Sequence, residues 1–156
     1  MTFTPLPSQP RLDDRDYPAR PILAASVAVF HEGRVLIARR ARAPMMGLYS
    51  LPGGVVEVGE TLREAALREL KEEVGLEAEI VAFIDHIEPI AREGARVREH
   101  YVVAAFLARW RSGEARLGPE ADAVAWIDPG AIGDYPTTPN LPATVAKAAA
   151  LERSLR

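Results

Sequence analysis

Residues 54–76 read GVVEVGETLREAALRELKEEVGL, and this stretch specifies a helix, both of its ends and a cluster of acids. Thr61 and Glu64 have the S/T-x-x-E spacing of a capping box, which makes Thr61 the N-cap. Gly75 followed by Leu76 fits a left-handed residue after the last turn with an apolar residue behind it. The spacing therefore predicts a helix from Thr61 to Val74. Leu67, Leu70 and Val74, with Ala66, form its apolar stripe. Glu69, Glu72 and Glu73 recur at i, i+3 and i+4, so they project from one side. At about 100° per residue, Glu72 and Glu73 lie roughly 60° and 40° to either side of Glu69. Like charges so placed repel, and near a helix C-terminus the macrodipole disfavours each by roughly 0.3–1 kcal/mol. Local rules hold along this segment except at the acids, and such breaks are expected where function imposes them. Clustered carboxylates suit a hard divalent cation such as Mg²⁺, which adds water and phosphate oxygens to its shell. Ala65 and Ala66, one turn before Glu69, are small enough to leave room for ions and phosphate.

With its leading glycine the segment resembles the Nudix box: Gly, five residues, Glu, seven residues, then Arg-Glu-aliphatic-x-Glu-Glu-x-Gly-aliphatic. Those positions hold Gly54, Glu60, Arg68, Glu69, Leu70, Glu72, Glu73, Gly75 and Leu76. So many fixed positions at fixed spacing make a far more specific signal than a short glycine motif. The resemblance implies an α/β (α+β) domain, a mixed sheet sandwiched between helices with the box as loop–helix–loop beside it. It also implies a hydrolase that cleaves a nucleoside diphosphate linked to a group X, using Mg²⁺ or Mn²⁺. On that basis Glu69 and Glu73 are metal ligands, Glu72 serves a further ion, and the Gly53 carbonyl completes a shell. Arg68 orients a carboxylate, and Glu60 ties the loop to the helix. An acid outside the box is expected as ligand or general base. Glu120, six residues ahead of Trp126, is the first choice, with Asp122, Glu93 and Glu99 as alternatives and His100 as a further catalytic candidate.

Arg39 and Arg40 follow a strand and offer planar forks of donors to a phosphate. Tyr49 stands where relatives commonly carry Trp before Pro-Gly-Gly, and keeps an amphipathic ring for substrate binding. Residues 47–54, the box and His100-Tyr101-Val102 together look like the compact ADP-ribose pyrophosphatase-like branch. That likeness implies cleavage of ADP-ribose or a related nucleotide sugar to AMP and a sugar phosphate, with X read by surrounding loops, among them Pro89 to Arg96. Two alternatives stay open: a nucleoside triphosphate pyrophosphohydrolase, and a Nudix-like module that senses a nucleotide without turnover. Such modules typically lose a catalytic glutamate, and this chain keeps them all.

Composition bounds the rest. The chain has 156 residues, 48% hydrophobic and 26% charged, which suits one globular domain. A formal charge of −3 gives no reason to expect a nucleic-acid partner. The absence of cysteine excludes disulfides and thiolate chemistry and is compatible with the cytoplasm, the expected location. No apolar run of about 18 residues predicts a membrane span, and the start lacks the pattern of a signal peptide. Residues 1–21 hold five prolines and read as an extended arm, disordered by default or else wrapping a partner in a homodimer, and the resemblance implies a Nudix domain over 22–156.

Within that domain Ile22 to Phe30 reads as a strand buried on both faces, turning at His31-Glu32-Gly33 into a paired strand over Arg34 to Ala38. Pro52-Gly53-Gly54 reads as a break. Beyond the box, Ala78 to Glu88 and Val97 to Trp110 read as strands, Pro89 to Arg96 as a charged loop, and Ala123 to Asp128 as the last strand. Pro129 to Pro142 reads as irregular and Ala143 to Leu155 as a helix.

Overall fold

The computed structural model describes residues 15–156. Strand β1 (Ile22–His31) turns into β2 (Arg34–Arg40) through Glu32 and Gly33, at φ 51° and 78°. Two successive positive φ values are what a two-residue hairpin needs to match strand twist. Two short strands follow, β3 (Tyr49–Ser50) and β4 (Gly53–Val55), then helix α1 (Leu62–Val74). Next come β5 (Glu77–Ile87), β6 (Ile90–Glu93), the long β7 (Arg96–Ser112) and β8 (Ala121–Ile127). A 3-10 turn (Pro129–Asp134) leads to helix α2 (Leu141–Ser154).

The sheet order is β3-β2-β1-β7-β5, with β4 on β1, β6 on β7 and β8 on β2. β1 and β7 run parallel and the other pairings are antiparallel, so the sheet is mixed. Alternation along the strands divides two cores. Val27, Val29 and Leu36 pack with Leu70 and Val74 of α1, while Ala28, Phe30, Val35 and Ile37 pack with Val145 and Ala148 of α2. The sheet is thus sandwiched between helices, as the resemblance to the Nudix box implies.

One irregularity creates the site. β1 and β2 pair at Phe30↔Val35 and His31↔Arg34, next to their turn. Towards the other end β1 pairs with β4 (Ala25↔Gly54) and β2 pairs with β3 (Ala38↔Ser50). The segment carrying Gly53 and Gly54 therefore enters the opening between the two strands.

Several local expectations need correction. Gly53 and Gly54 belong to a strand, and neither is among the positive-φ glycines. The charged stretch from Pro89 to Arg96 is not a loop: β6 folds back on β7 through Gly94 at φ 60°. Every β6 residue is exposed, so no apolar alternation announces it. Ala65 and Ala66 leave no room for ions, because both are fully buried in the α1 core, whereas Leu67 is only half-buried. α2 starts at Leu141, with Pro142 accommodated in its first turn, where a missing N–H costs nothing.

Candidate active site

The cap chemistry of α1 sets the position of its acids. Thr61 Oγ1 accepts from Glu64 N at 3.1 Å, and Glu64 Oε2 accepts from Thr61 N at 2.8 Å. Gly75 closes the helix at φ 74°, its N–H donating to the Lys71 carbonyl. Between these ends the three acids occupy different surroundings. Glu72 is 62% exposed and Glu69 only 17%, while Glu73 is half-buried.

Arg68 is the hub of the outer part. Its Nε and Nη2 donate to the two oxygens of Glu60 at 3.0 and 2.7 Å, a bidentate pair. Nη2 also reaches the Val55 carbonyl at 3.1 Å, and Nη1 donates to Glu69 Oε1 at 2.8 Å and Glu72 Oε2 at 3.2 Å. Glu60 Oε1 further accepts the Glu57 N–H at 2.9 Å. The Arg68 guanidinium, with help from that N–H, holds the Glu60 carboxyl down to about 2. Helix, glycine strand and the loop before the helix are thereby joined through one side chain.

The glycines are required by close approach. A Cβ on Gly54 would stand 2.5 Å from Cδ of Glu69. A Cβ on Gly53 would stand 2.4 Å from the Ala25 carbonyl oxygen and 2.8 Å from Ser26 Cα. Glu69 thus presses against a backbone that has no side chain there. Glu73 is the group out of electrostatic balance. Burial drives its carboxyl up to about 8, aided by the charges of Glu69 and Glu120 and opposed by the Gly53 N–H and by Arg40.

The residues singled out beyond the box divide. Glu120 lies close enough to Glu73 to raise it, on a loop tied down by Ala41 N–H to its own carbonyl at 3.0 Å. Its Oε1 also meets Arg42 Nη1 at 3.2 Å. Asp122 instead accepts Arg39 Nε at 2.6 Å, which occupies Arg39. Arg40 gives Nε to the Pro44 carbonyl, and its charge is the weakest of the influences on the Glu73 carboxyl. Glu93 accepts the Tyr17 hydroxyl, and His100 pairs with Ile90 in the β6–β7 hairpin; neither is brought to the carboxylates by a bond. Tyr49 packs edge-on to Tyr135, ring centroids 5.3 Å apart, on the α2 side of the sheet. Burial pushes the Tyr101 hydroxyl up, and the positive charges of Arg15 and Arg40 oppose it.

Among the described residues no three His, Cys, Asp or Glu side chains converge as they stand on a point that could hold one ion. Arg68 draws Glu69 and Glu72 towards itself. The donors are nevertheless of the right kind for a hard divalent cation: carboxylate and backbone oxygens, with a half-buried Glu73 whose charge lacks compensation.

Comparison with known proteins gives the family. The NUDIX domain model matches residues 20–148. A protein of Methanocaldococcus jannaschii named ADP-ribose pyrophosphatase is 31% identical over 108 residues, covering 69% of this chain and 62% of that protein. The CTP pyrophosphohydrolase of Escherichia coli is 36% identical over 64 residues, covering 40% of this chain and 47% of its own. The chain thus spans about three-fifths and about half of these two relatives. The crystal structure of a MutT NUDIX hydrolase from Burkholderia pseudomallei superimposes with a TM-score of 0.71 at 28% identity, over 82% of this chain and 98% of the other. The chain belongs to the Nudix family of hydrolases, whose members generally use divalent metal ions.

Proposed function

We propose that this protein hydrolyses the phosphoanhydride of a nucleoside diphosphate linked to X, with ADP-ribose or a related nucleotide sugar as substrate and AMP and a sugar phosphate as products. The observation that carries the reading is Glu73: a half-buried carboxyl, crowded by Glu69 and Glu120, driven up to about 8 beside the Gly53–Gly54 strand. A cation in place of the proton would relieve that crowding. Glu69 and Glu73 would hold Mg²⁺ or Mn²⁺ with the Gly53 carbonyl, and Glu72 would serve a further ion. When bound, such an ion neutralises phosphate oxygens and acidifies water.

The side chains do the rest. Arg68 fixes the carboxylate of Glu69 through its shared hold on Glu60. Arg40 offers donors to a phosphate on the side facing Glu73. Glu120 takes the proton of the attacking water. Changing Glu120 to Gln is expected to lower kcat by about 10²-fold or more, the usual scale for a general base. Asp122→Asn is expected to do less, because Asp122 is engaged with Arg39. Steady-state kinetics of the two variants checks this, and the reverse order would move the base to Asp122.

ADP-ribose is favoured by the name of the Methanocaldococcus relative, and a triphosphate by that of the Escherichia coli relative. The deciding experiment is kcat/KM for ADP-ribose, NADH, diadenosine polyphosphates and the common nucleoside triphosphates with Mg²⁺ and Mn²⁺. ADP-ribose is expected to lead. A triphosphate preferred tenfold or more would overturn that substrate, and no cleavage of any would revive the sensing module.

A further inference from the structure

The loop between β7 and β8 is laid along the C-terminal end of α1, in step with it. A Cβ on Gly118 would stand 3.4 Å from the Glu73 carbonyl oxygen, and one on Gly113 would stand 2.6 Å from the Gly75 carbonyl oxygen. Between them, Arg116 N–H donates to the Val74 carbonyl at 3.0 Å. Three successive carbonyls, which lack partners inside the helix, are thus each met by one position of the loop. Gly113 is at φ 93°, and its own carbonyl accepts from Trp110 Nε1 at 3.0 Å. Core building explains little of this. Between 113 and 120 only Ala115 packs against the hydrophobic core, and Leu117 is 58% exposed.

Arg116 contributes its side chain as well as its N–H. Its Nε, Cδ and Cγ would lie 2.6, 3.1 and 3.1 Å from a Cβ on Gly75, so its stem runs across the helix end where a larger residue would sit. Gly75 therefore has two reasons to be glycine, its left-handed φ of 74° and the passage of Arg116. A guanidinium there also suits the helix end, which favours cations and disfavours the nearby Glu72 and Glu73. Two residues past Gly118 the loop reaches Glu120. The Glu120 carbonyl accepts the Ala41 N–H at 3.0 Å, and Gly118 N–H donates to the Ala121 carbonyl at 3.2 Å. Ala121 is buried at the start of β8 and pairs with Arg40. Glu120 is thereby held between the end of α1 and the end of β2.

We infer that Arg116 is a positioning residue: lying across Gly75 and bonded to Val74, it fastens the loop to the end of α1 and so sets where Glu120 stands relative to Glu73. This rests on the proposed reaction in taking Glu120 as the base. The scale of the effect follows from the helix. A slip of the loop by one carbonyl would carry Glu120 about 1.5 Å along the axis of α1. That exceeds the ångström of misplacement that costs about 10²-fold in rate.

The test joins two measurements on the full chain: steady-state hydrolysis of ADP-ribose with Mg²⁺, and amide hydrogen exchange followed by NMR without substrate. Arg116→Ala loosens the loop without forcing a slip, so kcat is expected to fall about tenfold while KM changes little. In a Glu120→Gln background the same change should lower kcat no further, because a residue acting through Glu120 then has nothing to position. Exchange at the Ala41 amide, which bonds the Glu120 carbonyl, should quicken about tenfold as the loop opens more often. Arg116→Lys, which keeps the stem and the charge, should restore both. Arg116 is exposed, so the melting temperature should hardly move. Parent-like kcat or parent-like Ala41 exchange in Arg116→Ala would overturn the inference, as would a tenfold fall repeated in full on top of Glu120→Gln. Unchanged Ala41 exchange beside an impaired Glu120→Gln would sink the fastening and leave the reaction standing. Full turnover in Glu120→Gln would sink the base instead, with quickened Ala41 exchange in Arg116→Ala still showing the fastening.

Discussion

Conversion of Glu73 to Gln is expected to lower metal-dependent turnover by about 10³-fold, roughly 4 kcal/mol of barrier, while leaving the protein folded. The size follows from position: Glu73 is half-buried among Glu69, Glu120 and the Gly53 backbone, so a lost charge there is not replaced by solvent. The accompanying stability change has the opposite sign. In the metal-free protein the carboxyl titrates near 8 when folded, against 4.5 ordinarily. Between those values the folded state keeps a proton that the unfolded chain has released, so raising the pH through this window destabilises the fold. Glutamine carries no such charge. The variant should therefore be at least as stable as the parent at pH 8 in chelator, with a flatter stability profile between pH 4.5 and 8. Urea unfolding at several pH values measures this, and a large loss of stability at pH 8 would make Glu73 a structural residue instead.

The Gly53→Ala change is expected to be the most damaging to the fold. Its Cβ would stand 2.4 Å from the Ala25 oxygen, and both close neighbours on β1 include backbone atoms that cannot rotate away. β4 would have to move off β1, at about 1–3 kcal/mol for overpacking. For a domain of this size that is a fall in melting temperature of roughly 2–12 °C. Turnover should fall by about 10²-fold as well, since β4 lies against Glu69 and Glu73 and an ångström of misplacement in a site has that effect. Gly54→Ala provides the contrast. Its Cβ meets the carboxylate of Glu69, the far end of a side chain, so stability should change less while activity is lost. Equal melting temperatures for Gly53→Ala and the parent would show that β4 is loosely held.

What was legible in the sequence followed local physics. The capping box at Thr61 and Glu64 and the left-handed Gly75 give both ends of α1 without tertiary information. His31-Glu32-Gly33 marks the hairpin, one residue wider than the turn itself. β3 and β4 were not legible, since two or three residues carry no periodicity and their pairing comes from the opening between β1 and β2. β6 was hidden by its charged, wholly exposed residues. In the candidate site, spacing brings Glu69, Glu72 and Glu73 to one side of the helix but cannot tell that Glu73 is half-buried and Glu72 mostly exposed. Nor could it separate Arg39, held by Asp122, from Arg40, bound to the Pro44 carbonyl. Tyr17 meets the hairpin across some eighty positions of chain, and only folding brings it there.

The most direct measurement is hydrolysis of ADP-ribose in ¹⁸O-labelled water, with and without Mg²⁺ or Mn²⁺, followed by mass spectrometry of the products. The expected result is metal-dependent formation of AMP and ribose 5-phosphate with one ¹⁸O on a phosphate of one product, lost in Glu73→Gln. Attack by water on phosphorus requires that label. Label on the sugar carbon, or no metal-dependent product from ADP-ribose or any nucleoside triphosphate, would contradict the assignment of this carboxylate cluster to phosphoanhydride cleavage.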